Sequence, residues 1–183
     1  NIGDWSSDVC SSDLFQDSFI GDPATTDLRS AGFAHNVVMI QHDRCFSVRW
    51  GGGSASDPSS FFGGALESDL HHWFWPLDGE VGADGFLHVF VAEFVNERGT
   101  GAARGATPIA VWTATVRVSD LKVIAFAPAP DPADRPLYGF SIASDDVWSY
   151  LYGNCYRQFT DTEGLLGFDL SCNADVTVGR VPK

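Results

Sequence analysis

Two carboxylates beside a tryptophan cluster, with a third near the start of the chain, are the residues best suited to chemistry on a sugar. Asp78 and Glu80 follow Trp73 and Trp75 within one short stretch, and Asp17 lies near the start of the sequence. Cleavage of a glycosidic bond needs two carboxyl groups, about 5–5.5 Å apart for retention and about 6.5–9.5 Å apart for inversion. One carboxyl must be held protonated while the other stays ionised. The residue types are therefore sufficient for this chemistry if the fold brings two of the acids together.

Asp17 and Asp78 are predicted to be the catalytic pair. Asp17 stands between Phe15 and Phe19, where desolvation would raise its pKa. Asp78 follows a Trp-Pro pair, at a predicted turn on the rim of a cleft. The structural alternative is that Asp17 makes a hydrogen bond to a neighbouring part of the fold and that Asp78 caps the turn.

Six residues are predicted to bind a sugar rather than cleave it. A histidine and an asparagine would hydrogen-bond sugar hydroxyls, and three aromatic rings would stack on sugar faces. A glutamate would adjust the pKa values of the two catalytic acids. The set consists of His35, Asn36, Trp73, Trp75, Glu80 and Tyr138. Each has a structural alternative, namely a core histidine, a packed ring or a solvated turn residue. Glu93, on an apolar strand, is interpreted as a paired core acid or a solvent-facing residue.

The composition limits the classes of partner. The chain has 183 residues, 11 of them Lys or Arg and 24 Asp or Glu, with a formal net charge of −13. Nucleic-acid binding depends on clustered Lys and Arg, so the charge argues against it. The sequence contains no apolar run of about 18 residues, so no membrane-spanning helix is predicted. No cofactor motif and no metal-ligand spacing are found, so neither a cofactor nor a metal is expected.

Two cysteines flank a loop rich in Gly and Asp. A disulfide between Cys155 and Cys172 would close that loop, and export would favour it. In the chain-entropy description such a bridge stabilises the fold by roughly 3 kcal/mol. Two buried thiols are the alternative.

The hydrophobic pattern predicts an all-β protein. Short β-branched and aromatic runs alternate with turn residues throughout, and no stretch gives a convincing helical period. Strand 86–95 is apolar on both faces, so it should lie between two packed layers. Turns are expected at 78–79 and 83–85, loops at 51–60 and 160–169, and one helical turn is an option at 65–67. The remaining predicted strands are 15–20, 33–41, 44–50, 108–118, 121–126, 138–143, 147–153 and 175–181. Such hairpins favour a β-propeller, with a β-sandwich as the alternative.

Several short motifs occur in the order found in one propeller family. FQDSFIG (15–21) resembles that family's F-G-D-[ST]-F-[IV]-G signature, with Gln16 in place of the usual Gly. FAHNV (33–37) is similar to its F-x-H-N-[ST] strand, and WPLDG (75–79) to its W-P-x-D-G turn. YGFS (138–141), YLYG (150–153) and VGRVP (178–182) resemble its later motifs. The chain thus resembles a family of five-bladed β-propellers, common in actinobacteria, that is known as a domain of unknown function.

This resemblance implies an exported, carbohydrate-related protein. Some members of the family are endo-acting glycoside hydrolases that degrade the D-arabinan of mycobacterial cell walls. The leading expectation is therefore a secreted or cell-surface glycoside hydrolase acting on a polysaccharide or oligosaccharide. A non-catalytic carbohydrate-binding or cell-surface propeller is the alternative, and an inactive fragment is a third.

The first fourteen residues differ in character from the rest. Residues 1–14 resemble translated sequencing adapter, a contaminant at the ends of metagenomic contigs. We therefore expect a non-native segment at 1–14 and a partial propeller domain at 15–183, truncated at both ends, with at least one blade missing.

Overall fold

The computed structural model describes most of the chain as antiparallel β-structure. It describes residues 12–21, 24, 27–42, 45–67, 71–96, 106–130, 137–154, 157–164, 166–169 and 176–182. Every regular element in these ranges is a strand, and none of the described residues is helical. The all-β prediction is therefore confirmed. Within these ranges, no helix is available that could cross a membrane.

The described strands fall into three larger sheets and two small hairpins. The bounds are β1 Ser12–Ile20, β2 Gly32–His42, β3 Cys45–Arg49, β4 Gly52–Ser54, β5 Asp57–Ser59, β6 His72–Val81, β7 Phe86–Val95, β8 Thr107–Arg117, β9 Lys122–Pro128, β10 Leu137–Ser144, β11 Trp148–Asn154, β12 Arg157–Thr160, β13 Leu166–Asp169 and β14 Val176–Pro182. The first sheet has the order β1-β2-β3, the second β6-β7-β8-β9 and the third β10-β11-β14. The pairs β4–β5 and β12–β13 form the hairpins, and all neighbours are antiparallel.

Strand β7 forms the centre of the second sheet and is covered on both faces. Val89 and Val91 belong to a core cluster that includes Phe74 and Val38 of the neighbouring elements. Ala92, from the opposite face, packs in a second cluster with residues of the third sheet. The prediction of a strand between two packed layers is confirmed, because successive side chains of a strand point to opposite faces.

The first strands of the three sheets lie side by side. Strand β6 contacts both β1 and β10. The Gln16 side-chain amide donates to the Pro76 carbonyl at 3.2 Å, which joins the first sheet to the second. The Ile142 backbone amide donates to Asp78 at 2.8 Å, which joins the second sheet to the third. Strand β6 is therefore the element shared by both junctions.

The structure corrects several local predictions. Asp78 and Gly79 form no turn, because β6 continues to Val81 with a register shift between Pro76 and Gly79. Residues 61–66 form turns, and the Glu67 amide donates to the Gly63 carbonyl at 3.2 Å, so the optional helical turn at 65–67 is present as a single, uncontinued turn. The predicted loops at 51–60 and 160–169 contain the strands β4, β5 and β13. The turn at 83–85 is confirmed. Cys155 and Cys172 lie outside the described residues.

Asn36 holds the junction between the first and second sheets. Its side chain is fully buried and donates to the carbonyls of Phe62 and Phe74 at 3.1 and 2.9 Å. Its carbonyl oxygen accepts the Phe62 backbone amide at 2.7 Å. One buried side chain thus satisfies three backbone groups on two other segments, and buried backbone groups are costly when they lack partners.

Asn36→Ala is expected to destabilise the fold strongly. Loss of the amide leaves three buried backbone groups without partners, so the free energy of unfolding should fall by about 3 kcal/mol or more. Chemical denaturation would measure it, with the exposed Asn154→Ala as the matched control. Equal stability of the two variants would contradict this role of Asn36.

Candidate functional site

Asp17 is held by side chains from two different sheets. It faces His35 across the β1–β2 pair, between the pairs Gln16–Asn36 and Ser18–Ala34. The His35 Nδ1 atom lies 3.1 Å from Asp17 Oδ1. The Trp75 indole Nε1 donates to the same oxygen at 2.8 Å from the second sheet. Because the Asp17 side chain keeps 48% of its surface exposed, the carboxylate is both fixed and accessible.

A cluster of stacked aromatic rings packs against the two side chains that bond this carboxylate. His35 stacks on Trp73 with ring centroids 5.2 Å apart and an interplanar angle of 18°. Trp73 also stacks on Phe94 at 6.0 Å and 10°, and Trp75 packs against Phe94 at 4.6 Å. Trp73 is only 4% exposed, and its indole Nε1 has no hydrogen-bond partner among the described residues. Trp73 therefore supports the site through its packing and presents little surface to a ligand.

The hydrogen bonds of Asp17 decide its protonation. Burial alone would raise the pKa of Asp17, but the bonds from His35 and Trp75 and the charge of His35 outweigh burial and lower the pKa below its ordinary value. This is the opposite of the direction expected from the flanking phenylalanines. Asp17 is therefore an ionised carboxylate at neutral pH, suited to act as a nucleophile, a base or an acceptor of sugar hydroxyls.

Glu67 has the opposite character and was not singled out from the sequence. Burial raises the pKa of Glu67 above its ordinary value, although hydrogen bonds from Ser60 and Phe74 oppose this. Ser60 donates to its Oε2 at 2.6 Å and the Phe74 backbone amide to its Oε1 at 3.2 Å. The one available signal was a single charge at the end of an otherwise apolar, Gly-containing run at 61–66.

The other two predicted acids lie at the junction with the third sheet. Asp78 accepts the backbone amides of Gly79 and Ile142, both at 2.8 Å. Glu80 accepts short hydrogen bonds from the hydroxyls of Ser144 and Ser149. None of the described hydrogen bonds connects either acid to Asp17. Both carboxylates join strand β6 to the third sheet.

The remaining predicted residues have described partners within the fold. The Asn36 side-chain amide is used by backbone groups of Phe62 and Phe74, as described above. Tyr138 donates its hydroxyl to the Pro130 carbonyl at 2.6 Å and packs its ring on Phe90. The structure therefore brings together Asp17, His35, Trp73 and Trp75, and it places Asp78, Glu80 and Tyr138 in other contacts.

A second imidazole–carboxylate pair lies on β6 and β7. The His72 Nε2 atom lies 2.6 Å from Glu93 Oε1, and Trp112 donates to Glu93 Oε2 at 2.6 Å. Glu93 is thus a paired acid, as one of the two sequence interpretations held. Across the described parts of the chain, no group of three or more His, Cys, Asp or Glu could hold a metal ion.

An open apolar cavity of about 460 Å³ lies next to the site. Phe15, Ser18 and Phe19, the neighbours of Asp17 on β1, contribute to its wall, whereas Asp17 itself does not. The rest of the wall is Ile20, Gly21, Val37, Met39, Val48, Trp50 and Ala55. Its volume is in the range of ordinary ligand sites, which is about 300–1,000 Å³.

Comparison with known proteins places the chain in a family. The family model for a domain of unknown function, DUF5005, matches residues 9–165. The chain belongs to the DUF5005 family. A search of curated proteins and a search of solved structures each found no match. The family match begins at residue 9 and β1 begins at Ser12, both within the segment that resembles adapter sequence.

Asp17→Asn should change how the stability of this DUF5005 domain depends on pH. The folded pKa of Asp17 lies below the ordinary value of 3.8, so its carboxylate adds stability that is present above pH 3.8 and lost as pH falls through the folded value. Urea denaturation of wild type and Asp17→Asn across pH should give a difference that shrinks in that acidic range. A difference that stays constant with pH would contradict the lowered pKa.

Asp78→Asn separates a structural from a catalytic role in the DUF5005 domain. An amide has one acceptor oxygen, so one of the two backbone amides would face an N–H group. The free energy of unfolding should fall by about 1–3 kcal/mol. Denaturation would measure it against the exposed Asp146→Asn. Unchanged stability with abolished polysaccharide cleavage would instead support Asp78 as the catalytic partner of Asp17.

Proposed function

We propose that this domain acts on a cell-wall polysaccharide such as D-arabinan, which it binds at Asp17. The observation that carries the proposal is a half-exposed, ionised carboxylate fixed by imidazole and indole donors from two sheets. A fixed carboxylate is a strong acceptor for sugar hydroxyls, because hydrogen bonds to an ionised group are stronger than neutral ones. Aromatic side chains beside it suit the apolar faces of sugar rings.

The surroundings of Asp17 support a neutral glycan over a polyanion. Phe15 and Phe19, which flank it on β1, are 41% and 59% exposed. The formal net charge of −13 disfavours phosphate-rich ligands. The apolar cavity on the same side offers room for a sugar or its apolar substituent. A secreted or cell-surface location belongs to the same proposal, since the polysaccharide lies outside the cell.

We propose that the three large sheets are consecutive blades of a propeller. Three features support this: each sheet is antiparallel, each begins with the strand nearest its neighbour, and β6 contacts both β1 and β10. In a propeller, the first strands of successive blades meet around the axis. A two-layer sandwich would need only two face-to-face sheets. The five-bladed count and the actinobacterial source follow from the sequence resemblance alone.

Glycoside hydrolysis at this site is the more specific form of the proposal. In this form of the proposal the ionised Asp17 carboxylate acts as the base or nucleophile, since one of the two carboxyls must stay ionised. Asp78 remains the partner proposed from the sequence. Both oxygens of Asp78 accept backbone amides, so they are engaged by the fold rather than free for catalysis. A non-catalytic binding domain is therefore the second candidate.

Asp17→Asn tests the proposal directly. The variant keeps the size of the side chain but loses the charge. Its affinity for D-arabinan on a glycan array should therefore fall about tenfold or more. Asp120→Asn is the matched control, because Asp120 has the same 48% exposure but pairs with Arg117 in its own turn. Release of soluble oligosaccharides from D-arabinan is measured in parallel.

The two measurements separate the candidates. Oligosaccharide release by wild type that is lost in Asp17→Asn supports hydrolysis. Retention without release, again lost in the variant, supports the binding domain. Equal retention by Asp17→Asn and wild type would overturn the assignment of the site to Asp17.

A further inference from the structure

We propose that Glu67 is the positioning residue of the Asp17 site. The Glu67 carboxylate links strand β2 to strand β6, the two strands whose side chains hold Asp17. The functional part of this inference rests on the proposed function, whereas its structural part is measurable without any glycan.

A chain of hydrogen bonds runs from Glu67 to both strands. Ser60 donates to Glu67 Oε2 at 2.6 Å and accepts the His35 backbone amide at 3.1 Å. The other carboxylate oxygen accepts the Phe74 backbone amide at 3.2 Å. Phe74 lies between Trp73 and Trp75, so Glu67 fixes the backbone of the tryptophans as well as that of His35. One carboxylate thereby sets the separation of the two donors that meet at Asp17.

These bonds replace a missing strand neighbour. The pairing of β3 with β2 ends at Val38, so the part of β2 that contains His35 has no β3 partner. Residues 60–62 take this place, with the Phe61 amide donating to the Asn36 carbonyl at 3.1 Å. Within this segment Phe61 and Phe62 bond Asn36, whereas Ser60, which Glu67 holds, accepts the amide of His35.

A tight turn brings Glu67 to this position. Leu66 and Glu67 both donate their backbone amides to the Gly63 carbonyl, at 2.7 and 3.2 Å. Gly63 has a φ of 72°, and a Cβ atom there would lie 2.3 Å from the Phe74 ring. The turn therefore requires glycine, and it returns the chain so that Glu67 faces Ser60 and Phe74.

Protonation of Glu67 should weaken the link. A protonated carboxyl has an O–H group and fewer acceptor sites for Ser60 and Phe74. Burial raises the pKa of Glu67, so this proton binds above the ordinary value of 4.5. The titratable groups facing it are His35 from β2 and His72 from β6. Asp17 and Glu93 lie beyond these two imidazoles.

The test follows the indole N–H proton of Trp75 by NMR. In Glu67→Ala the Trp75–Asp17 bond should be lost or lengthened, so this signal should move toward that of a free indole, and D-arabinan retention should fall about tenfold. Glu67→Gln resembles the protonated acid, with one acceptor oxygen and a donor group toward Ser60, so at neutral pH its signal should lie where the wild-type signal moves when Glu67 gains its proton. Glu163→Ala, at an exposed glutamate, is the matched control.

The pH profile gives a readout that packing alone would not move. As pH falls toward 4.5, the wild-type Trp75 signal should shift because Glu67 gains its proton. The same titration of Glu67→Gln should lack this step, because the amide has no proton to gain in this range. Identical titrations of the two proteins would overturn the pH coupling.

The outcomes distinguish this inference from the proposed function. An unchanged Trp75 signal in folded Glu67→Ala overturns the positioning role even if Asp17→Asn abolishes glycan retention. A shifted signal supports the positioning role even if D-arabinan is not a ligand. If Glu67→Ala fails to fold, Ser60→Ala, which removes only the hydroxyl link to His35, decides the question through the same signal.

Discussion

The fold depends on buried polar side chains that satisfy backbone groups at the junctions between sheets. Asn36 is the main one, because its single amide serves two carbonyls and one N–H on segments 26 and 38 residues away. A β-sheet satisfies its own interior, but its first strand leaves one edge of backbone groups without strand partners. Here side chains from neighbouring segments occupy part of those edges. This arrangement makes the sheet junctions specific, because an unpaired buried amide or carbonyl costs about 1–3 kcal/mol.

The same principle places the candidate site. Asp17, His35, Trp75 and Glu67 lie where β1, β2 and β6 meet, so the groups that hold the sheets together also orient the exposed carboxylate. A fixed carboxylate loses little conformational entropy when it binds a ligand. The junction between the second and third sheets has the same construction, with Asp78 and Glu80 in place of Asn36. There both carboxylates accept hydrogen bonds from residues of the third sheet, whereas the Asp17 carboxylate remains half exposed.

Local patterns predicted the strands better than the site. Strand 86–95 was predicted with its observed bounds, because its composition is apolar on both faces and its ends are marked by turn residues. The predicted turn at Asp78-Gly79 is wrong, since Gly79 pairs with Val89 of β7 and Asp78 accepts the backbone amide of Ile142, 64 residues away. The pKa of Asp17 was predicted in the wrong direction, since its neighbours in sequence are phenylalanines and its neighbours in space are His35 and Trp75. Burial and hydrogen-bond partners depend on tertiary contacts, which periodicity does not encode.

The bulge in β6 explains how one strand serves two junctions. Before it, Trp75 pairs with Ala92, and after it, Glu80 pairs with His88, so one extra residue on β6 is accommodated. Residues five apart on a regular strand lie on opposite faces, but the bulge returns Trp75 and Glu80 to the same face of the sheet. Gly79 permits this, because a Cβ atom there would lie 2.8 Å from the His88 carbonyl oxygen. The Asp-Gly pair that suggested a turn is therefore the device that keeps β6 in the sheet while it directs aromatic rings to the first sheet and carboxylates to the third.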